Sequence, residues 1–190
     1  SVSQETQRPN VNWERRMINL RSVKIQLIAF LVLFAAFLSM KEHDISFLFC
    51  LGISVFSAML TETVILSFKT KTFQITESSL ISGLIIGYVL SPDQGKGIFI
   101  LAPLVAILSK YFIRFKKKHI FNPAAFGIFF AIIVLHASTG WKGTYLWYIL
   151  LPFGLYFVQR IKKLEITAGY AAVSLFLFGI QAYMHKVPFL

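Results

Sequence analysis

One stretch near the middle of the chain combines a capping amide, an aromatic ring and several small residues. The basic run 116–118 and His119 precede Phe121, Asn122 and Pro123, and an apolar segment follows. Asn122 suits the N-cap of a helix, where its side-chain oxygen accepts from unpaired N–H groups, and Pro123 suits the first helical position. The next turn holds three small residues, Ala124, Ala125 and Gly127. Small residues let another helix or a flat ligand approach the backbone closely.

A single acid, Glu62, lies inside the apolar segment 45–68. An acid within a membrane span is costly to bury and often marks an ion pathway. Because Lys69 follows less than two helical turns later, an acid at the membrane interface is the alternative. The short segment that comes next carries Gly83 and Gly87 and stops at a Ser-Pro turn. Such a segment suits either a broken helix that lines an ion or cofactor site or a short buried helix.

The composition indicates an integral membrane protein. Apolar residues make up 56% of the chain, 20 residues are phenylalanine, and charged residues occur in short clusters. The net charge of +11 does not favour nucleic-acid binding, because the basic residues stand between apolar spans and not on one soluble face. Cys50 is the only cysteine, which excludes an internal disulfide and a Cys-based metal site within one chain. We expect no catalytic residue and no metal site.

The elements that must position these residues are apolar helices. The pattern predicts an all-α, polytopic membrane protein with a cytoplasmic segment, 1–24, and a transmembrane domain, 25–190. About seven helices are predicted, over 25–40, 45–68, 78–90, 97–113, 123–136, 144–159 and 166–184. The third is only about 20 Å long at 1.5 Å per residue, short of the roughly 30 Å of a bilayer core.

The basic residues predict one orientation. If every helix reverses the side and the N-terminus is cytoplasmic, 15 of the 19 lysines and arginines fall in cytoplasmic segments. Only Lys41, Lys96, Lys142 and Lys186 fall outside. This asymmetry follows the positive-inside rule and places the run 114–119 in the cytoplasm.

The order of these features resembles a known family. A Ser- and Gly-rich short helix from Ser78 to Gly87, then Leu90-Ser91-Pro92, a helix, a basic run and Phe121-Asn122-Pro123-Ala124 are typical of it. The family comprises the integral membrane subunits shared by the Rnf electron-transport complex (its D subunit) and the sodium-pumping NADH:quinone reductase (its B subunit). The resemblance covers roughly residues 62–163.

The resemblance implies a flavin-binding subunit of a membrane electron-transport complex, coupled to Na⁺ or H⁺ movement, with other membrane subunits and the bilayer as partners. It implies a non-covalent flavin, riboflavin or FMN, at the Asn-Pro-Ala helix start. Asn122 is the residue carried over, and His119 stands where the sodium-pumping relatives often have a second Asn. The aromatic, amide and small residues that a flavin needs are Phe121, Asn122, Ala124, Ala125 and Gly127, with Gly83 and Gly87 as an opposing wall. A flavin ring is flat, partly apolar and edged with donors and acceptors, which suits this set.

The sequence departs from the family in two respects. Members with covalent FMN carry a Ser-Gly-Ala-Thr motif after the Asn-Pro-Ala helix, whereas this chain has Ala137-Ser138-Thr139-Gly140 close to that helix. We therefore expect no covalent FMN on Thr139. Members also have around ten helices in two halves, so this chain is either partial or shortened. Two other functions stay open: the membrane component of a solute or riboflavin-type vitamin transporter, and a structural subunit without the cofactor.

Overall fold

The computed structural model describes residues 11–70, 76–115, 118–119, 121–161 and 164–186. The chain divides into two packed units, Lys24–Tyr145 and a second formed by Ser1–Val23 with Leu146–Leu190. Helix α1 belongs to both units, since it is continuous across Val23. The candidate site residues fall in the first unit.

The described chain is helical, with seven α-helices and one short two-stranded ladder. The helices are α1 Val11–Glu42, α2 Ile45–Thr70, α3 Glu77–Val89, α4 Ile98–Phe112, α5 Pro123–Leu135, α6 Trp147–Ile161 and α7 Leu164–Lys186. A 3₁₀ turn, Thr144–Leu146, precedes α6. The prediction of an all-helical fold is confirmed for this part of the chain. The predicted start of the first helix at residue 25 is wrong, because the helix already begins at Val11.

Two of the described helices are long and apolar enough to cross a membrane. These spans are Val23–Glu42 and Ile45–Lys69, with 20 and 25 residues. Helix α3 is short, as predicted, and α4 and α5 are short as well, with 15 and 13 residues. Helices α3 and α4 pack against the long α2, and α5 packs against α3 and α4.

Small residues allow the helices of the Lys24–Tyr145 unit to pack closely. Its core is a cluster around Cys50, Ile86, Leu90, Phe99, Ala102, Ala106, Ala124, Ala131 and Ala137. A methyl group built on Gly83 would lie 2.7 Å from the Val55 Cα, and one on Gly127 would lie 2.6 Å from the Ala102 carbonyl oxygen. Such distances are below van der Waals contact, so only glycine fits at these two positions.

Helices α3 and α5 both begin at the end of the unit where α2 and α4 finish, so the two helices run parallel. At their other ends, Leu90 and Thr139 form an antiparallel bridge. The Ser91 N–H donates to the Ser138 carbonyl, and the Gly140 N–H donates to the Val89 carbonyl. Both nitrogen–oxygen distances are close to 3 Å, at 3.2 and 3.0 Å. The end where α3 and α5 begin also carries Lys24, Lys69 and Lys110, and we call it the basic end.

A short hairpin follows α4 at the basic end. Strands β1, Arg114–Phe115, and β2, Lys118–His119, pair antiparallel with Arg114 opposite His119 and Phe115 opposite Lys118. This basic run has neither a hydrophobic alternation nor an Asn-Gly turn, so the hairpin was not predicted. Lys116 and Lys117, which connect the strands, lie outside the described residues.

A charged cluster joins two loops at the opposite end. The Lys142 ammonium lies 2.8 Å from Asp44 Oδ2 and 3.0 Å from Glu42 Oε2. Asp44 also caps α2, since its Oδ1 accepts from the Phe47 N–H at 3.0 Å. The hydrogen bond from Lys142 holds the pKa of Asp44 below its usual value, and the same bond raises the pKa of Lys142.

These shifts predict a stability difference that depends on pH. A lowered carboxyl pKa stabilises the fold above the unfolded-state value, and this contribution is lost as the pH falls through the folded-state pKa. A raised lysine pKa stabilises below its unfolded-state value and is lost as the pH rises through the folded-state one. We expect Asp44→Asn, which keeps the cap, to cost up to about 1 kcal/mol at pH 7, because the pair is partly exposed.

The check is thermal unfolding of the detergent-solubilised protein between pH 3 and pH 8. The difference between the wild type and Asp44→Asn should shrink as the pH falls below about 4, where an ordinary aspartate is protonated. A difference that stays constant down to pH 3 would show that the charge of Asp44 does not contribute.

Candidate functional site

A cavity of about 400 Å³ opens at the basic end, at the start of α5. Its lining comes from α1, α3 and the α5 start: Lys24, Ser78, Ile81, Ser82, Ile85, Phe121, Asn122 and Pro123. Ligand pockets in proteins usually measure about 300–1,000 Å³ and are mostly apolar with a few placed polar groups. This cavity has both the size and the mixture of groups.

Local sequence determines how the α5 start faces the cavity. Pro123 occupies the first turn of α5, and the Asn122 Oδ1 accepts from the Ala124 N–H at 3.1 Å. The cap uses the oxygen of Asn122, so the amide nitrogen is the group left for a ligand. The ring of Phe121 packs against Phe126 with centroids 5.8 Å apart, and half of its surface stays exposed.

The α3 wall of the cavity combines apolar and hydroxyl groups. Ser78, Ile81, Ser82 and Ile85 recur at the spacing of one helix face. The Ser82 hydroxyl donates to the Ser78 carbonyl at 2.9 Å, so it is an acceptor for a ligand hydrogen. Isoleucines beside hydroxyls suit a flat ligand with an apolar surface and a polar edge.

The electrostatics of the cavity favour negative charge. The N-termini of α3 and α5 converge here, and each helix start carries a partial positive charge. Lys24 adds a full positive charge, which is shared with Glu77 at an Nζ–Oε2 distance of 4.0 Å. The cavity is therefore suited to an electron-rich or anionic edge of a ligand.

Two of the predicted site residues, Phe121 and Asn122, line this cavity, whereas the two glycines of α3 do not. Gly83 and Gly87 lie on the face of α3 that packs against α2, where added methyl groups would meet Val55 and Leu51. The Ser54 hydroxyl donates to the Gly83 carbonyl at 2.8 Å, which fixes this packing. The wall opposite the α5 start is thus the serine and isoleucine face of α3, and Gly83 and Gly87, which were expected there, do not line the cavity.

The other predicted residues sit around the α5 start without lining the cavity. Ala124 is buried in the core cluster, and Gly127 packs against Ala102 and Ala106 of α4. Ala125 is exposed. The backbone of His119 pairs in the hairpin, and its side chain lies outside the described residues.

Glu62 lies in a second polar site at the basic end. It is 1% exposed, and its carboxylate accepts from three donors on two neighbouring elements. The Lys110 ammonium and the Tyr111 hydroxyl bond Oε1, at 2.5 and 2.9 Å, and the Thr76 hydroxyl bonds Oε2. Thr76 is also the N-cap of α3. This Glu62 cluster therefore links α2, α4 and the start of α3.

The arrangement determines what the Glu62 cluster can do. The Glu62 carboxylate accepts from three donors, and Lys110 neutralises its charge. The side chain of Lys110 is 16% exposed. A cation or a proton reaches the carboxylate only when the Lys110 contact opens. The cluster is thus a closed acid site whose opening would be coupled to movement of the α4 end.

Sequence reasoning missed Lys24, Ser78, Ser82 and the partners of Glu62. The serine and isoleucine face of α3 has the i, i+3, i+4 and i+7 spacing of one helix face, which is visible in the sequence. The prediction used the glycines on the other face instead. In the sequence, Lys110 contributes only to the number of basic residues that predicts the orientation of the helices. Nothing in the sequence pairs it with an acid 48 residues earlier.

Thr139, where we expect no covalent FMN, lies at the opposite end from the cavity and bridges to Leu90. No protein-family model, curated protein or solved structure matches this chain.

Proposed function

We propose that this chain is a polytopic bacterial inner-membrane subunit of about seven spans that binds a flavin without a covalent bond, within an electron-transport complex. The observation that carries the proposal is the cavity at the start of α5. It combines an aromatic ring, an amide, hydroxyls and a cation in a volume suited to a cofactor. The resemblance to the Rnf and sodium-pumping reductase subunits supplies the redox context.

The surface of the long helices supports the membrane assignment. In the apolar spans of α1 and α2, only 28% and 39% of the most apolar window is buried. Large apolar side chains such as Leu33, Phe56 and Phe68 are exposed. A helix of a soluble core would bury most of such a span, whereas lipid covers it in a membrane protein. The basic end then faces the cytoplasm, as does the N-terminus.

The residues of the cavity have distinct roles toward a flavin. Phe121, Ile81 and Ile85 would contact the ring faces, and the Asn122 amide nitrogen would donate to a ring-edge acceptor. Lys24 and the α3 start would attract an anionic edge or the phosphate of FMN. A bound flavin supplies one- and two-electron transfer, and the protein orients it and sets its potential.

The Glu62 cluster supports the coupling to Na⁺ or H⁺ movement. It is a buried carboxylate at the same end as the cavity, and Thr76 connects it to α3, whose next turn lines that cavity. A change of charge in the cavity therefore acts on the start of α3, where Thr76 is hydrogen-bonded to Glu62. Glu62 would exchange its Lys110 partner for the transported cation.

Asn122 tests the flavin site, because its helix cap and its ligand contact can be separated. Asn122→Ser and Asn122→Asp both keep a capping oxygen, and Asp caps as well as Asn. Both remove the amide donor. We expect folded protein with five- to hundred-fold lower flavin occupancy, since an unmade hydrogen bond to a buried group costs about 1–3 kcal/mol.

The measurement is flavin per folded protein, from absorbance after a sizing column. Asn122→Ala, which also removes the cap, separates instability from lost binding. Wild-type flavin content in both capping variants would remove Asn122 from the site and leave helix capping as its role.

A further inference from the structure

An apolar groove runs along the exposed face of α2 toward the basic end. It has a volume of about 450 Å³, and its lining includes Phe56, Leu60, Thr63, Val64, Ser67 and Phe68. The exposed side chains recur every fourth residue, and Phe56 and Phe68 are 68% and 85% exposed. The stretch from Phe56 to Phe68 is about 18 Å long at 1.5 Å per residue. This length and shape suit an extended hydrocarbon chain.

The groove changes from apolar to polar at the basic end. The hydroxyl oxygen of Ser67 is buried and has no hydrogen-bond partner among the described residues. Lys69, in the last turn of α2, is exposed, and its ammonium lies 4.8 Å from the centre of the Tyr111 ring. A hydroxyl without a partner in an apolar wall is costly, so it points to a ligand with a polar atom at this depth.

Lys69 supplies the positive charge at this end of the groove. Its ammonium lies beside Tyr111, in the last turn of α4, and strands β1 and β2 follow that turn in the chain. The groove therefore ends at a lysine of the basic end, which the proposed orientation places among the cytoplasmic lipid headgroups.

We propose that this groove, which we call the α2 groove, binds one anionic phospholipid. An acyl chain lies along Phe56, Leu60 and Val64. The Ser67 hydroxyl donates to an ester oxygen of the glycerol, and the headgroup phosphate pairs with Lys69. Charge complementarity selects an anionic headgroup, since basic groups on the cytoplasmic side of membrane helices bind such lipids. The inference depends on the proposed membrane location and is independent of the flavin.

A second apolar groove on α2 supplies the contrast. It measures about 700 Å³, lies toward the opposite end, and is approached by Lys96, whose ammonium is 4.8 Å from the Phe49 ring centre. Its hydroxyls are already bonded, since Ser57 donates to the Ile100 carbonyl and Thr61 to the Ser57 carbonyl. It therefore lacks the partnerless polar group of the α2 groove, and Lys96→Gln is a matched control for Lys69→Gln.

The test is native mass spectrometry of the purified protein after incubation with phosphatidylglycerol or with phosphatidylcholine of the same acyl chains. The wild type should retain one phosphatidylglycerol in clear preference to phosphatidylcholine. Lys69→Gln should lower phosphatidylglycerol retention about fivefold, because one basic residue near an anionic headgroup contributes about 1 kcal/mol. Val64→Trp, which fills an exposed part of the groove, should lower retention of both lipids. Lys96→Gln should change neither.

Three results would overturn the proposal: equal retention of both lipids by the wild type, unchanged retention in Lys69→Gln, or a dimer mass that disappears in Val64→Trp. The last would make a second copy of the chain the occupant of the groove. Flavin absorbance is recorded on the same samples. Lipid preference without flavin would contradict only the proposed function, and flavin without lipid preference would contradict only the lipid site.

Discussion

Replacing Lys110 with methionine is expected to lower the free energy of unfolding by about 3–5 kcal/mol, because it leaves the Glu62 carboxylate buried without its counter-ion. Glu62 is 1% exposed, so little water solvates its carboxylate. The hydroxyls of Thr76 and Tyr111 remain as donors, but neither carries a charge. Methionine keeps the length and the apolar stem of lysine, so the lost charge accounts for the effect.

The opposite substitution should cost less. Glu62→Gln keeps an acceptor for Thr76 and Tyr111, and the side chain of Lys110 is partly exposed and can turn to water. The double variant Glu62→Gln, Lys110→Met should therefore be more stable than Lys110→Met alone. Unfolding in mixed detergent–SDS micelles measures all four proteins of this cycle. Additive effects of the two substitutions would show that Glu62 and Lys110 do not form an energetic pair.

Replacing Gly127 with valine is expected to destabilise the fold by about 1–3 kcal/mol or more, which is the usual cost of overpacking a well-packed core. The first added carbon already meets the Ala102 carbonyl oxygen at 2.6 Å and the Ala106 methyl at 2.7 Å. Because one of these is a backbone atom, α5 must move away from α4. That movement also displaces Asn122 and Phe121, so flavin occupancy should fall together with stability.

Gly52 provides the control on α2. A methyl group there meets nothing within 4 Å. Gly52→Ala should be neutral or stabilising by up to about 1 kcal/mol, since alanine favours a helix interior over glycine. The comparison uses the same micelle unfolding assay. If Gly127→Val is as stable as Gly52→Ala, the close α4–α5 contact is absent in solution.

Most of the helical layout follows from the sequence because apolar segments and caps are local signals. The second and fifth helices were predicted at 45–68 and 123–136, and they occupy Ile45–Thr70 and Pro123–Leu135. Residues 11–42 contain neither proline nor glycine, so the continuity of α1 was also readable. The hairpin after α4 could not be predicted from the sequence. Its two strands have two residues each, which is too few for a pattern that distinguishes them from a loop.

The candidate site was predictable only in part. Asn122 and Pro123 are typical of a helix start, and Phe121 precedes them. This wall of the cavity could therefore be predicted from the local sequence. Which face of α3 forms the opposite wall depends on which side of this mostly apolar helix packs against α2. Gly83 and Gly87 allow close packing, so their side of α3 packs against α2, and Ser78 and Ser82 line the cavity. The partners of Glu62 required the tertiary fold, because Lys110 is distant in the chain.

The central claim is that the chain binds a flavin at the start of α5 without a covalent bond. The most direct measurement is the visible absorption spectrum of the purified full chain, followed by acid precipitation and a second spectrum of the supernatant. The account predicts flavin bands in the intact protein that move entirely into the supernatant. Colourless protein after incubation with riboflavin and with FMN, or flavin that stays in the precipitate, would contradict it.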